Sequence, residues 1–257
     1  MLKISTSLPS TAIFGAEAER LKNVLVDHNA SWFRALSDHI EVETDEDVSP
    51  WVSTWRSSTT DVVATPTRPN KKNGRFDTTS PVPAMRFQAE THCGYSADKI
   101  AKSAERFSIA ILYKSENRDA RTVFSISGKT QNNILFVNEN SGRLTLLDRA
   151  GTLKLETDAP PLSHRYALLV VSYAAGKLRM QLNNEPMQET LGHIPDLEGT
   201  AELFIGCRNH RSGLAKTLGT SRISDVIYWP DRMLLGPVGE DMPPDLTLLH
   251  DFWRWNR

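Results

Sequence analysis

The sequence is short of cysteine, of net charge, of long apolar runs and of catalytic signatures, and each shortage excludes a class. Two cysteines, Cys93 and Cys207, stand in 257 residues. A small secreted fold built on disulfides carries more, so reduced, buried thiols are expected, with a bridge between the two left open. The longest apolar stretch, Tyr166 to Val171, is strand-sized, far below the ~20 residues of a membrane-spanning helix. Membrane insertion is not expected. Lys and Arg number 30 against 31 Asp and Glu, a net charge of −1. Bulk charge therefore gives no attraction to nucleic acid or to an anionic membrane. The first ten residues hold no apolar segment of the kind a secretory signal needs. There is no Gly-x-Ser-x-Gly elbow, no phosphate loop and no dinucleotide fingerprint, and no catalytic residue is expected.

What is present is a β-rich pattern between two different ends. Gly15 to His28 places Ala18, Leu21, Val24 and Leu25 on one face, at helical spacing. A helix this short needs a surface to pack on, either the body of the chain or a neighbouring subunit. The acidic run from Glu41 to Asp47 reads as a solvated loop. Ser57 to Ser80 is polar, without period, and reads as a long surface loop of the kind that carries function. From Pro83 onward, alternation recurs: Phe107 to Tyr113, Thr122 to Ile126, Asn133 to Val137, Arg143 to Leu147, Thr152 to Leu155, Lys177 to Leu182, Ala201 to Ile205 and Ile223 to Tyr228. Turn residues separate the runs, notably Asn140-Ser141-Gly142 and Ala175-Gly176. Many short strands without interleaved helices mean an antiparallel sandwich or jelly roll. Arg232 to Asp245, with three prolines, reads as a loop. Leu246 to Trp255 reads as a short helix or a closing strand, with Leu248, Leu249, Phe252 and Trp253 buried.

The fold class is thus all-β, an antiparallel jelly-roll β-sandwich with a short helical N-terminal arm and a C-terminal extension. Residues 1–30 form the arm, 31–230 the sandwich, and 231–257 an extension packing on the body or a partner.

Several segments, in order, resemble the concanavalin A-like lectin/glucanase superfamily, in particular laminin-G-like jelly rolls of bacterial and phage type. They are Trp32-Phe33-Arg34-Ala35, Val52-Ser53-Thr54-Trp55, Pro83-Ala84-Met85-Arg86-Phe87, Phe107-Ser108-Ile109-Ala110, the hairpin from Gly176 to Asn184, Phe204-Ile205-Gly206, and Ile223 to Tyr228. The resemblance implies a jelly roll and a module that binds a cell-surface glycan or polysaccharide. It further implies a structural subunit of a larger assembly, a phage or phage-like virion (fibre, spike or decoration protein), whose other subunits dock through residues 1–30. Outside a virion, a cytoplasmic location or export without a secretory signal is expected. A purely architectural subunit and a polysaccharide hydrolase or lyase are the rivals.

The residues themselves offer one ligand site and three lesser patterns. Thr91-His92-Cys93-Gly94-Tyr95 and Arg208-Asn209-His210-Arg211 each follow a strand. Sugar recognition uses aromatic faces against C–H surfaces and forked polar groups against hydroxyls, so the candidate ligand-binding residues are His92, Tyr95, Arg208, Asn209, His210 and Arg211. Trp32, Trp51, Trp55 and Trp229 are expected in the core rather than as sugar platforms. Glu43-Thr44-Asp45-Glu46-Asp47 comes near the acid pattern of a laminarinase-type hydrolase, but it lacks the alternate apolar face of a cleft strand. The same acids, or Asp225 and Asp231, are candidates for calcium. His92, Cys93, Cys207 and His210 form a zinc set only if their strand ends meet. No metal or other cofactor is assigned.

Overall fold

The strands at the centre of one sheet, β8 (Arg106–Ser115), β13 (Ala167–Ala174) and β17 (Ser221–Pro230), bury apolar side chains on both faces. The computed structural model describes residues 10–46, 48–101, 105–128, 135–163, 165–194, 200–237 and 242–256. Within them two antiparallel sheets make a sandwich. Sheet I runs β15 (Gln188–Leu191), β14 (Lys177–Leu182), β13 (Ala167–Ala174), β8 (Arg106–Ser115), β17 (Ser221–Pro230), β6 (Ala84–Phe87) and β5 (Arg75–Asp77), with β1 (Ser31–Arg34) also paired to β17. Sheet II runs β12 (Lys154–Asp158), β11 (Arg143–Asp148), β10 (Leu135–Asn140), β9 (Arg121–Gly128), β16 (Ala201–Ile205), β7 (Tyr95–Ala101), β4 (Val63–Pro66), β3 (Val48–Arg56) and β2 (Ile40–Asp45). At the β13–β14 hairpin, Ala175 and Gly176 both take positive φ, 48° and 73°. That geometry matches the twist of the strands it joins.

The period of two sorts side chains between layers. On β8, Phe107, Ile109, Ile111 and Tyr113 enter the core between the sheets, while Ala110 and Leu112 face the other way. Leu169, Val171 and Tyr173 of β13 point inward; Leu168 and Val170 point out. The outward set is covered by two helices, α1 (Ser10–Asp27) and α2 (Pro244–Asn256). Leu21 and Leu25 of α1 are fully buried there, as are Leu249 and Phe252 of α2. Leu248 is only partly buried. The apolar face read from sequence therefore packs on this chain's own body. Trp32 meets Phe252 edge-on at 5.2 Å between ring centroids, an arrangement that adds about 0.5–1.5 kcal/mol to the burial itself.

Polar side chains lock this third layer in place. Ser108 and Ser172, both buried on the outer face of sheet I, share a hydrogen bond of 2.7 Å. Leu234 N donates to the Ser108 hydroxyl and Leu235 N to that of Ser172, so the chain leaving β17 is tied down before it reaches α2. Asp245, almost fully buried in the first turn of α2, pairs with Arg232 at 2.7 Å and with His28, just past α1, at 3.5 Å. Asp225 accepts from the Trp32 indole at 3.0 Å and faces Arg34 at 3.6 Å. Burial still raises its carboxyl above the ordinary aspartate value, against the pull of Arg34 and these hydrogen bonds.

Several local expectations change in the structure. The acidic run is not a loop. Ile40–Asp45 forms the exposed edge strand β2, where Arg56 holds Glu41 and Lys72 holds Asp45 at 2.6 Å. Charged side chains at a sheet edge discourage pairing with another chain. Asp47 lies outside the described residues, as do residues 1–9 and the Asn133 and Ile134 of one expected strand. The Ser57–Ser80 stretch contains two short strands, β4 and β5, too brief to show a period. The C-terminal apolar segment is the helix α2, not a closing strand. Trp32, Trp55 and Trp229 are fully buried, as expected; Trp51 is only partly so.

Two consequences are measurable. Truncating Phe252 to alanine should cost about 3–5 kcal/mol of unfolding free energy, whereas Trp255→Ala, at a side chain 55% exposed, should stay within about 0.5 kcal/mol. Denaturant titration of both variants tests the helix layer. His250 in α2 is 3% exposed and neither ring nitrogen finds a hydrogen-bond partner among the described residues. Burial lowers its pKa below the usual histidine value. The unfolded chain then binds its proton first as pH falls, so stability is lost from about pH 6.5 downward. His250→Gln should flatten that loss in denaturant titrations at pH 5 to 7; an unchanged slope would refute it.

Candidate functional site

Three loops converge on the outer face of sheet II, and hydrogen bonds explain why. Thr67 N and the Asn70 amide both donate to Gly94 O, and the Asn73 amide donates to His92 O. These pin the segment after β4 onto the loop between β6 and β7. The second loop meets the third, after β16, through His92 Nε2 and Ser212 O at 2.9 Å and through Cys207 under Gly94. Gly206 starts the third loop at φ +68°, and a Cβ there would meet the Phe87 ring at 2.1 Å. Only glycine permits both the turn and the approach. The loop then folds back over sheet II, where Phe204, Cys207 and Leu218 make a small buried cluster.

His210 joins these pieces. Its Nδ1 accepts from Arg68 N at 3.2 Å, and its Nε2 lies 2.9 Å from Glu202 Oε1. An Nδ1 that accepts leaves the proton on Nε2, which donates to the carboxylate. The imidazole also packs edge-on against Phe204 at 5.0 Å. Asn209 is 4% exposed; its Oδ1 accepts from Arg211 N at 2.8 Å, and its Nδ2 has no partner among the described residues.

Beside this joint opens a cleft of about 670 Å³. Its lining includes Arg68, Asp98, Lys99, Glu202, Asn209, His210 and Arg211. The volume is that of a small-ligand site, though the lining is far more polar than most.

The candidates named from sequence divide here. The two loops do meet, and Asn209, His210 and Arg211 line the cleft. Tyr95 does not belong. It is fully buried in the core between the sheets, its hydroxyl donates to Val52 O at 2.9 Å, and burial pushes its phenol well above the ordinary value. It begins a strand whose inward position it takes, which the loop reading overlooked. Arg208 also lies apart from the cleft lining. Its guanidinium sits 4.0 Å over the Phe136 ring, its Nε reaches Thr122 at 3.4 Å, and burial lowers its pKa. His92 serves the loop junction instead of the lining.

Four charged lining residues were not among the candidates. Glu202 and Asp98 occupy outward positions of β16 and β7; the alternation of Ala201-Glu202-Leu203 was enough to expose Glu202 to that face. Arg68 falls within the polar stretch already marked for function. Lys99, at φ +52°, follows Asp98, and nothing local distinguishes it.

Metal readings find little support in this geometry. Among the described residues no three His, Cys, Asp or Glu side chains gather as ligands. The loops that carry His92, Cys93, Cys207 and His210 meet, but the four side chains do not gather as a ligand set, and His92 and His210 have other partners. Cys93 and Cys207 are free, buried thiols, and burial raises both above the ordinary cysteine value. Asp225 is engaged by Trp32 and Arg34, far from any calcium-like cluster of oxygens.

No family model and no curated protein matches the sequence. Solved structures do match. Trypanosoma rangeli sialidase in complex with sialic acid is similar at a TM-score of 0.57 and 12% identity, over 94% of this chain and 38% of the sialidase. The binding domain of botulinum neurotoxin serotype D/C VPI 5993 is similar at 0.57 and 10%, over 88% of this chain and 52% of that one. Domain 4 of AbnA, a GH43 extracellular arabinanase from Geobacillus stearothermophilus in complex with arabinotriose, is similar at 0.51 and 13%, over 77% and 91%. The chain thus spans under two fifths of the sialidase and about half of the toxin domain. At these identities the likeness defines the fold, a β-sandwich of the concanavalin A-like, jelly-roll kind.

Gly206→Ala should cost about 1–3 kcal/mol through the clash with Phe87, more if the left-handed backbone is also strained. It should also displace the loop that carries Asn209 to Arg211. Denaturant unfolding, together with amide exchange of residues 207–212, reports both effects.

Proposed function

We propose that this chain is a non-catalytic carbohydrate-binding module that holds a glycan in the cleft beside His210. The observation that carries this reading is a preformed polar cleft whose walls come from two loops joined at His210 and from strands β7, β9 and β16 beside them. Such preorganisation lowers the ordering cost of a weak ligand. The fold is shared with proteins crystallised with sialic acid and with arabinotriose, which adds support by analogy.

A binding role is favoured over hydrolysis. Glycoside cleavage uses two carboxylates about 5–10 Å apart across the scissile bond. Glu202 is already committed to His210, and Asp98 is highly exposed beside Lys99. The Glu43 and Asp45 pair of the acidic run lies on the exposed edge strand, with Asp45 held by Lys72. The wider setting we propose is a structural subunit of a larger assembly, a phage-like particle, as the laminin-G-like segment order of the sequence suggests.

A broad glycan array, run with and without a calcium chelator, tests the reading. Specific binding should appear in both conditions. It should fall about tenfold or more in His210→Ala, the loss of one or two hydrogen bonds at the joint, and persist in Lys177→Ala on sheet I. Silence from folded protein across the array would overturn the module and leave an architectural subunit.

A further inference from the structure

Two of the three cations that line the cleft, Arg68 and Arg211, have no acid partner among the described residues, and from this we infer that its ligand is an acidic saccharide whose carboxylate is gripped by Arg68 and Arg211. The inference rests on the glycan-binding reading of the same cleft and narrows its ligand class.

Arg68, Lys99 and Arg211 bring three cations to the lining; Asp98 and Glu202 bring two carboxylates. Glu202 is engaged by His210. Asp98 has Lys99 4.0 Å away, both side chains more than 70% exposed. Neither Arg68 nor Arg211 has an acid within ion-pair distance among the described residues. Asn209 Oδ1 is held by Arg211 N, and its Nδ2 is too deeply buried to meet a ligand. His210 Nδ1 is likewise occupied, by Arg68 N.

Two guanidinium groups are therefore free, and both only donate. A neutral sugar presents hydroxyls that donate as readily as they accept, and is best met by a mixture of acceptors and donors. It is also commonly met by an aromatic face against its C–H side. Among the described residues no Phe, Tyr or Trp lines this cleft. A carboxylate supplies acceptors alone and matches the planar fork of arginine with two parallel hydrogen bonds.

Calorimetric titration of the full chain with two matched pairs tests this: trigalacturonate against its methyl ester, and sialyllactose against lactose, with sulfated lactose as a fifth probe. At least one acid should bind ten times or more tightly than its neutral counterpart. That preference should shrink at raised salt and about tenfold in Arg68→Gln or Arg211→Gln. Both side chains are exposed, and Arg68→Gln keeps the backbone N–H that holds His210, so folding should be unaffected; circular dichroism checks it. Equal binding of acid and neutral partners would overturn the acidic ligand while leaving a glycan-binding module. Tightest binding of sulfated lactose would overturn the carboxylate. No binding of any probe, with the array also silent, would overturn both readings together.

Discussion

The strands β8, β13 and β17 present apolar side chains on both faces, and one sandwich partner can cover only one of them. Ala110, Leu112, Leu168, Val170, Ile227 and Trp229 would otherwise form a continuous apolar surface of a size that soluble monomers rarely expose. At roughly 25 cal/mol per Å², leaving it wet would cost several kcal/mol. Helices α1 and α2 from opposite ends of the chain supply the cover. Ser108, Ser172 and Asp245 then fix where the C-terminal segment crosses.

That coverage makes the sandwich asymmetric, and the asymmetry places the site. Sheet I is closed on its outer face. Sheet II is not, so its outward positions carry serine, threonine and charged residues as well as the few aromatics that the loop after β16 seals. Phe204 and Phe136 lie under that loop, one against His210 and the other beneath Arg208. The loop is consequently anchored by packing at one side and left polar at the other, where the cleft opens. A rigid apolar footing with a hydrogen-bonding rim is how a loop site gains precision without a helix or strand to carry it.

His210 is the small joint on which the cleft depends. One ring nitrogen holds the backbone of a loop from early in the chain, and the other holds a carboxylate on the strand just before it. Fixing both partners also fixes the tautomer, and it withdraws Glu202 from the groups available to a ligand. Loop architecture and the charges left free in the cleft are in this way set by the same side chain.

Much of this was legible in consecutive residues. The period of two marked the strands, Asn, Ser and Gly marked the turns, and the spacing of Ala18, Leu21 and Leu25 marked the first helix. Asn209, His210 and Arg211 could be named because they follow a strand and are polar and planar. Tyr95 was misplaced because a strand's first inward residue looks, in one dimension, like the last residue of a loop. Strands β2, β4 and β5 escaped because β4 and β5 are short and β2 carries an acid at every second position. The sequence by itself determined the all-β sandwich and the amphipathic helix, since period and turn chemistry act over a few residues. Only the tertiary structure decided which sheet face the helices cover, and which distant residues meet at His210. Those outcomes turn on pairing order and on partners such as Arg68, which stands 142 residues from the ring it binds, a separation no local pattern encodes.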